Sequence, residues 1–182
     1  KDRVNLVKAE TNLPVRYAVN TSFHGDHSYG NQYLPEETLI IQHSVASEYI
    51  GEHLEADKAF MIQNFGTGRG IEEIGVTPAD ILVGKGGDLD VNLGGVTVNI
   101  RDYGFAQTGG DLFVSVSDAN VLWTGNPVIA KAPALPWLLD GHLIETRDSL
   151  EAVLAAVDDE TQIIPGHGPV TGVETITWNV EY

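Results

Sequence analysis

Three short apolar runs rich in β-branched residues constrain the fold most, because each one delivers histidine at its end. PVRYAVN (14–20) runs into TSFHGDHSYGN (21–31), ETLIIQH (37–43) stops on His43, and TQIIPGHGPV (161–170) carries His167 between two glycines. Such runs read as buried strands. The chain is therefore α/β, with its chemistry on loops at strand ends.

The remaining segments fit this frame. Residues 44–65 read as a helix, with Val45, Tyr49, Leu54, Phe60 and Met61 at helical spacing and Ser44 as the expected cap. GTGRG (66–70) then breaks order. From 81 to 125 the pattern is that of strands. DLDVNLGGVTVNIRDYG turns at Gly94-Gly95, and DLFVSVSDANVLWTGN turns at Ser117–Asn120, so both read as hairpins. A Pro-rich loop over 126–142 is long for an ordered connection, which marks it as functional. TRDSLEAVLAAV (146–157) is an amphipathic helix, and TITWNVEY is expected to end the chain without a closing helix.

A length of 182 residues fits one domain, 1–182, large enough to bury a core. The net charge of −16, with only 10 basic residues scattered along the chain, excludes a nucleic-acid partner, which needs clustered Lys and Arg. No apolar run approaches the ~18 residues of a membrane span. Cysteine is absent, so thiolate chemistry and disulfides are excluded and any metal must be held by His, Asp or Glu. The missing cysteines leave the compartment open. KDRVNLVKAETN is no signal peptide; localisation stays unknown with the cytoplasm preferred, and because the sequence lacks an initial Met the true N-terminus is expected upstream.

His24, Asp26 and His27 crowd into four positions, and His167 ends a later strand between glycines that permit close backbone approach. Neutral imidazoles with a carboxylate are what a hydrolytic zinc site requires, provided one position stays open for water. The other reading is a hydrogen-bonded loop cluster without metal. His43 and His53 read as structural, the first at a strand end and the second on a polar helix face. Trp137, beside Leu138 and Leu139, and His142 are candidates for lining a substrate pocket.

The order Ser22-Phe23-His24-Gly25-Asp26-His27, QTGGD (107–111), VLWTGN (121–126) and PGHG (165–168) resembles the metallo-β-lactamase superfamily over nearly the whole chain. The resemblance implies an αββα sandwich with the site at one edge between two sheets. It also implies several strands ahead of the histidine motif, where only 21 residues precede Ser22. The N-terminal strands are therefore expected to be missing, and a second chain or a homo-oligomer is the expected means of completing the sheet.

Three positions depart from the family pattern. Ser22 stands for the first histidine, Gln107 for the middle one, and Asn126 for the aspartate that would bridge two metals. A set of Ser22, His24 and Gln107 is a poor zinc site, because hydroxyl and amide oxygens carry no charge to replace lost water. The second set, Asp26, His27 and His167, is intact, with Asn126 as a further candidate donor, and the resemblance implies that it holds one zinc ion; the same donors match the facial triad of non-haem iron. His24, released from a ligand role, becomes a candidate general base, with Asp26 as the other catalytic candidate. The leading expectation is a hydrolase that opens an ester, thioester, lactone or amide of a small molecule through a single metal-bound hydroxide. The alternatives are a natural-product (polyketide) cyclase on the same fold, and a metal-free pseudoenzyme that binds or scaffolds.

Overall fold

The computed structural model describes residues 2–129 and 142–182. In chain order the elements are α1 (Asp2–Glu10), β1 (Tyr17–Val19), α2 (Gly25–Ser28), β2 (Leu39–His43), α3 (Ser44–Phe65), β3 (Ile81–Val83), β4 (Asp88–Asn92), β5 (Thr97–Arg101), β6 (Phe113–Val116), β7 (Val121–Ile129), α4 (Leu143–Leu154), β8 (Gln162–His167) and α5 (Glu174–Glu181). The β-branched runs pair into two sheets. One is all parallel, in the order β1-β2-β3; the other has the order β4-β5-β6-β7-β8, antiparallel except for the parallel β7–β8 pair.

Side-chain alternation along the strands sets the layers. Phe113 and Val114 are neighbours in β6 and so point to opposite faces. Val114 joins Ile100 and Leu112 against Ile41 and Val83 of the three-stranded sheet. Phe113 joins Leu122, Val128 and Ile163 against Leu150 and Val153 of α4 and Ile176 of α5. α3 lies against β2 and β3 on the opposite side. The result is the expected αββα sandwich, and no helix among the described residues is long and apolar enough to cross a membrane.

Several local expectations need correction. The cap of α3 is His43 and not Ser44, since His43 Nδ1 accepts from the Val45 N–H at 3.2 Å. The buried face of α3 is Ala46, Ile50 and Leu54, spaced by four, which leaves Val45 and Phe60 exposed. Residues 126–129, expected as loop, belong to β7, which runs to Ile129; the rest of that expectation up to residue 141, Trp137 included, lies outside the described residues. The second helix is 143–154 rather than 146–157. A closing helix does exist: α5 takes up the TITWNVE residues, and Thr175 and Ile176 are buried. Residues 2–10, left unassigned from sequence, are helical.

β1 pairs inside the chain with β2, Tyr17 standing opposite Leu39. Among the described residues no strand lies on its other edge, and Tyr17 and Leu39 are both part-exposed.

Candidate metal centre

The segment after β1 is folded by polar side chains that the sequence reading passed over. Asn20, buried, donates from Nδ2 to the His27 carbonyl at 2.8 Å and to Asn31 Oδ1 at 3.1 Å. Its Oδ1 accepts from Asn31 Nδ2 (2.7 Å) and from Gln42 Nε2 of β2 (2.6 Å). This network pins α2 to the sheet, and a fully satisfied buried network fixes one arrangement. Ser28 Oγ donates to the Phe23 and His24 carbonyls, and Ser22 Oγ accepts from the His24 N–H at 3.3 Å. Gly25 is required by packing, because a Cβ there would lie 2.7 Å from the Tyr29 ring. Tyr29 is itself held by a 2.5 Å hydrogen bond from its hydroxyl to Asp57.

Asp26 and His27, on the first turn of α2, face His167 at the end of β8. Asp26 Oδ2 lies 3.3 Å from His27 Nε2 and 3.0 Å from His167 Nε2. The two imidazoles meet edge to face at 5.7 Å between centroids. One ligand atom from each of the three residues lies within 4.8 Å of the others, and among the described residues this is the group of that kind. The hydrogen bond from His27 lowers the Asp26 pKa, outweighs the cost of burial and, with the nearby imidazoles, holds the carboxyl down to about 2. Asp26 is therefore an anionic donor at any neutral pH. Thr21 Oγ1 meets the other ring nitrogen of His27, Nδ1, at 3.2 Å. A partner on the distal nitrogen fixes ring orientation and directs Nε2 inward.

Glycines on β7 and β8 set this approach. A Cβ on Gly166 would fall 2.6 Å from Asn126 N and 2.7 Å from Gly125 C, and one on Gly125 would fall 2.8 Å from Thr21 Cβ. The β7–β8 register shifts at Gly125, as expected for a bulge that re-aims a side chain. Gly166→Ala is expected to force the strands apart, displace His167 and cost about 2–4 kcal/mol. The urea midpoint measures this; an unchanged midpoint would show that the contact yields freely.

The departing positions are buried. Ser22 and Gln107 are inaccessible, and neither amide atom of Gln107 has a hydrogen-bond partner. The Asn126 amide donates from Nδ2 to His24 Nδ1 at 3.0 Å, while its buried Oδ1 has no partner and lies where a Gly166 Cβ would be. Asn126 thus presents its nitrogen end, which is no metal donor, toward His24. Phe23 packs edge-on to the His24 ring at 4.9 Å.

Three further histidines lie away from this cluster. His43, read as a strand-end residue, is buried with Nε2 3.6 Å from Asp102 Oδ2 across the sheet interface. Burial pushes the Asp102 carboxyl up, but the neighbouring His43 imidazole and hydrogen bonds from the Gly86 and Gly104 N–H groups outweigh it and leave the pKa below its ordinary value. His53 stacks on Tyr49 at 4.3 Å. His142 stands 4.7 Å from the Phe105 ring.

The fold is that of solved metallo-β-lactamases. DIM-1 metallo-β-lactamase exposed to ceftazidime matches with a TM-score of 0.74 and 14% identity, over 99% of this chain and 72% of that chain. A metallo-β-lactamase from Pontibacter korlensis matches with a TM-score of 0.74 and 16% identity, over 98% of this chain and 74% of that one. FIM-1 from Pseudomonas aeruginosa, in its mono-zinc form, matches with a TM-score of 0.70 and 18% identity, over 98% and 70%. The chain therefore adopts the metallo-β-lactamase fold. No protein-family model and no curated protein sequence matches it.

Proposed function

We propose that this protein is a metal-dependent hydrolase with one metal, held by Asp26, His27 and His167, that opens an ester, thioester, lactone or amide of a small molecule. The observation that carries the reading is the convergence of these three donors within 4.8 Å on a metallo-β-lactamase fold. The donor set fits a divalent ion: two imidazoles and a carboxylate already ionised, with the outer nitrogen of His27 engaged by Thr21. When bound, such an ion supplies Lewis acidity, which acidifies water and polarises a carbonyl oxygen. Zinc is the first choice, and iron suits the same donors. The mono-zinc form of the neighbouring FIM-1 supports a one-metal occupancy on this fold.

The chain's own residues supply the rest. Asn126 orients His24 by donating to Nδ1, which leaves the proton of the neutral ring on Nε2 and makes that N–H a hydrogen-bond donor, not a general base. Ser22 and Gln107 offer no charge at the positions where the resemblance puts a second metal's histidines, so that site is lost.

Metal analysis of protein purified without chelators tests this directly. One equivalent of zinc or iron per chain is expected, along with metal-dependent hydrolysis within a panel of esters, thioesters, lactones and amides. Combining Ser22→His, Gln107→His and Asn126→Asp is expected to raise the stoichiometry to two. Two equivalents in the unmodified protein would overturn the one-metal reading; retention of none after zinc addition would favour the metal-free binding protein.

A further inference from the structure

We infer that the cavity between the start of α3, the 102–109 loop and α4 binds a small neutral molecule, whose carbonyl oxygen accepts a hydrogen bond from His43 Nε2. The cavity, of about 450 Å³, is lined by His43, Val45, Asp102, Phe105, Gly109 and Ser149, and it contains none of Asp26, His27 and His167. Its size is within the range of small-molecule sites.

An unspent donor carries the inference. His43 is 1% exposed, and its Nδ1 accepts from the Val45 N–H at 3.2 Å, so the neutral ring carries its proton on Nε2. That nitrogen has no hydrogen-bond partner among the described residues. Asp102 Oδ2 stays 3.6 Å away, beyond hydrogen-bond reach. Both oxygens of Asp102 are held elsewhere: Oδ2 accepts from the Gly86 N–H at 2.6 Å and Oδ1 from the Gly104 N–H at 2.7 Å. A buried N–H without an acceptor is costly, and a ligand oxygen in the cavity removes that cost.

The other polar groups of the lining are engaged, which sets the charge of the ligand. Asp148 accepts from Arg147 Nη2 at 2.6 Å, Glu145 stands 3.4 Å from His142 Nδ1, and Ser149 Oγ donates to the Phe105 carbonyl at 2.8 Å. No carboxylate is therefore spare for a cation. An anion bound at His43 Nε2 would meet the Asp102 charge beside the same nitrogen, and like charges repel strongly where little water screens them. Lys85, the one cation in the lining, is exposed, so solvent and salt screen it from the His43 end. A neutral carbonyl is the acceptor that avoids both penalties.

Val45 and Phe105 supply an apolar and aromatic wall for the body of the molecule. Gly109 offers a means of blocking it. A Cβ there would make ordinary contacts, 3.5 Å to Phe105 and 3.8 Å to Val45, so a larger side chain enters the space between the two walls.

The test is titration of the metal-free, ¹⁵N-labelled chain with acetophenone, with α-methylstyrene (the same shape without the oxygen), with benzoate and with benzamidine. Amide shifts and the His43 Nε2–H signal are followed. Acetophenone is expected to move the Val45, Gly104, Phe105 and Gly109 amides saturably and to shift the His43 Nε2–H proton downfield. It is expected to bind about tenfold more tightly than each of the other three. Gly109→Leu is expected to abolish binding. If that variant does not fold, the comparison of acetophenone with α-methylstyrene on the unmodified chain decides, because the two differ only at the acceptor. Equal binding of these two, preference for benzoate or benzamidine, or an unmoved His43 Nε2–H signal would each overturn the assignment. So would the absence of saturable shifts, as for a cavity that holds water only, or shifts confined to Gly25–Ser28 and His167. The result does not depend on metal binding, so it stands or falls apart from the hydrolase reading.

Discussion

His167→Ala is expected to lower zinc affinity by a few hundredfold. A structural zinc site is worth about 10–16 kcal/mol over four ligands, so one ligand accounts for about 3–4 kcal/mol, and each ~1.4 kcal/mol is a factor of ten. Asp26→Asn removes the only anionic donor of the cluster and is expected to act at least as strongly. Thr21→Val leaves the three donors in place but removes the hydroxyl beside His27 Nδ1; a loss of about 10–100-fold is expected from this outer contact. His53→Ala serves as the control, because its ring stacks on Tyr49 of α3 away from the cluster. Competition against a chromophoric chelator measures all four variants. Wild-type affinity in His167→Ala would remove that residue from the ligand set and with it the geometric basis of the proposed centre.

How much of this was legible in the sequence depended on whether the information was local. The hairpins at Gly94-Gly95 and Ser117–Asn120 carry their turn chemistry within a few residues, and both formed where expected. The strands ahead of His24 and His167 were marked by β-branched runs, and the sheets they build bring Asp26, His27 and His167 together. What the residues could not show is non-local. His43 and Asp102 meet only because the two sheets stack, and nothing near His43 marks it as the cap of α3. TITWNVEY has strand-like β-branched residues, yet its Ile176 is drawn into the cluster of Phe113, Leu122 and Leu150, and packing there outweighs local preference. Asn20 is one polar residue at a strand end; its four hydrogen bonds arise from three separate segments.

Asp111→Asn is expected to reverse sign with pH, less stable than or equal to the parent near pH 4.5 and more stable near pH 8. Asp111 is fully buried; its Oδ2 accepts from the Thr108 N–H at 2.6 Å, and its Oδ1 has no partner. Burial, only partly offset by hydrogen bonds from Thr108 and Gln107 and reinforced by the Asp102 charge, pushes its pKa up to about 7. An unfolded aspartate titrates near ~3.9. Between these two values the native state holds a proton that the unfolded chain has released, so raising the pH erodes stability throughout the window. About three pKa units at ~1.36 kcal/mol each give about 4 kcal/mol between pH 4 and pH 7. Below this window the stabilisation is fully present, and above it the buried carboxylate bears the whole penalty. The amide of the variant does not titrate, although it places a buried NH₂ where Oδ1 lacks a partner, which is the cost seen at low pH. Asp26 and Asp102 shift in the opposite direction and are common to both proteins, so Asp26 cancels in the difference and Asp102 enters it only through its repulsion of the Asp111 carboxylate. Urea unfolding of both metal-free proteins from pH 4.5 to 8 supplies the comparison. Parallel stability curves would show that Asp111 is ionised throughout, and that the 107–111 loop tolerates a buried charge.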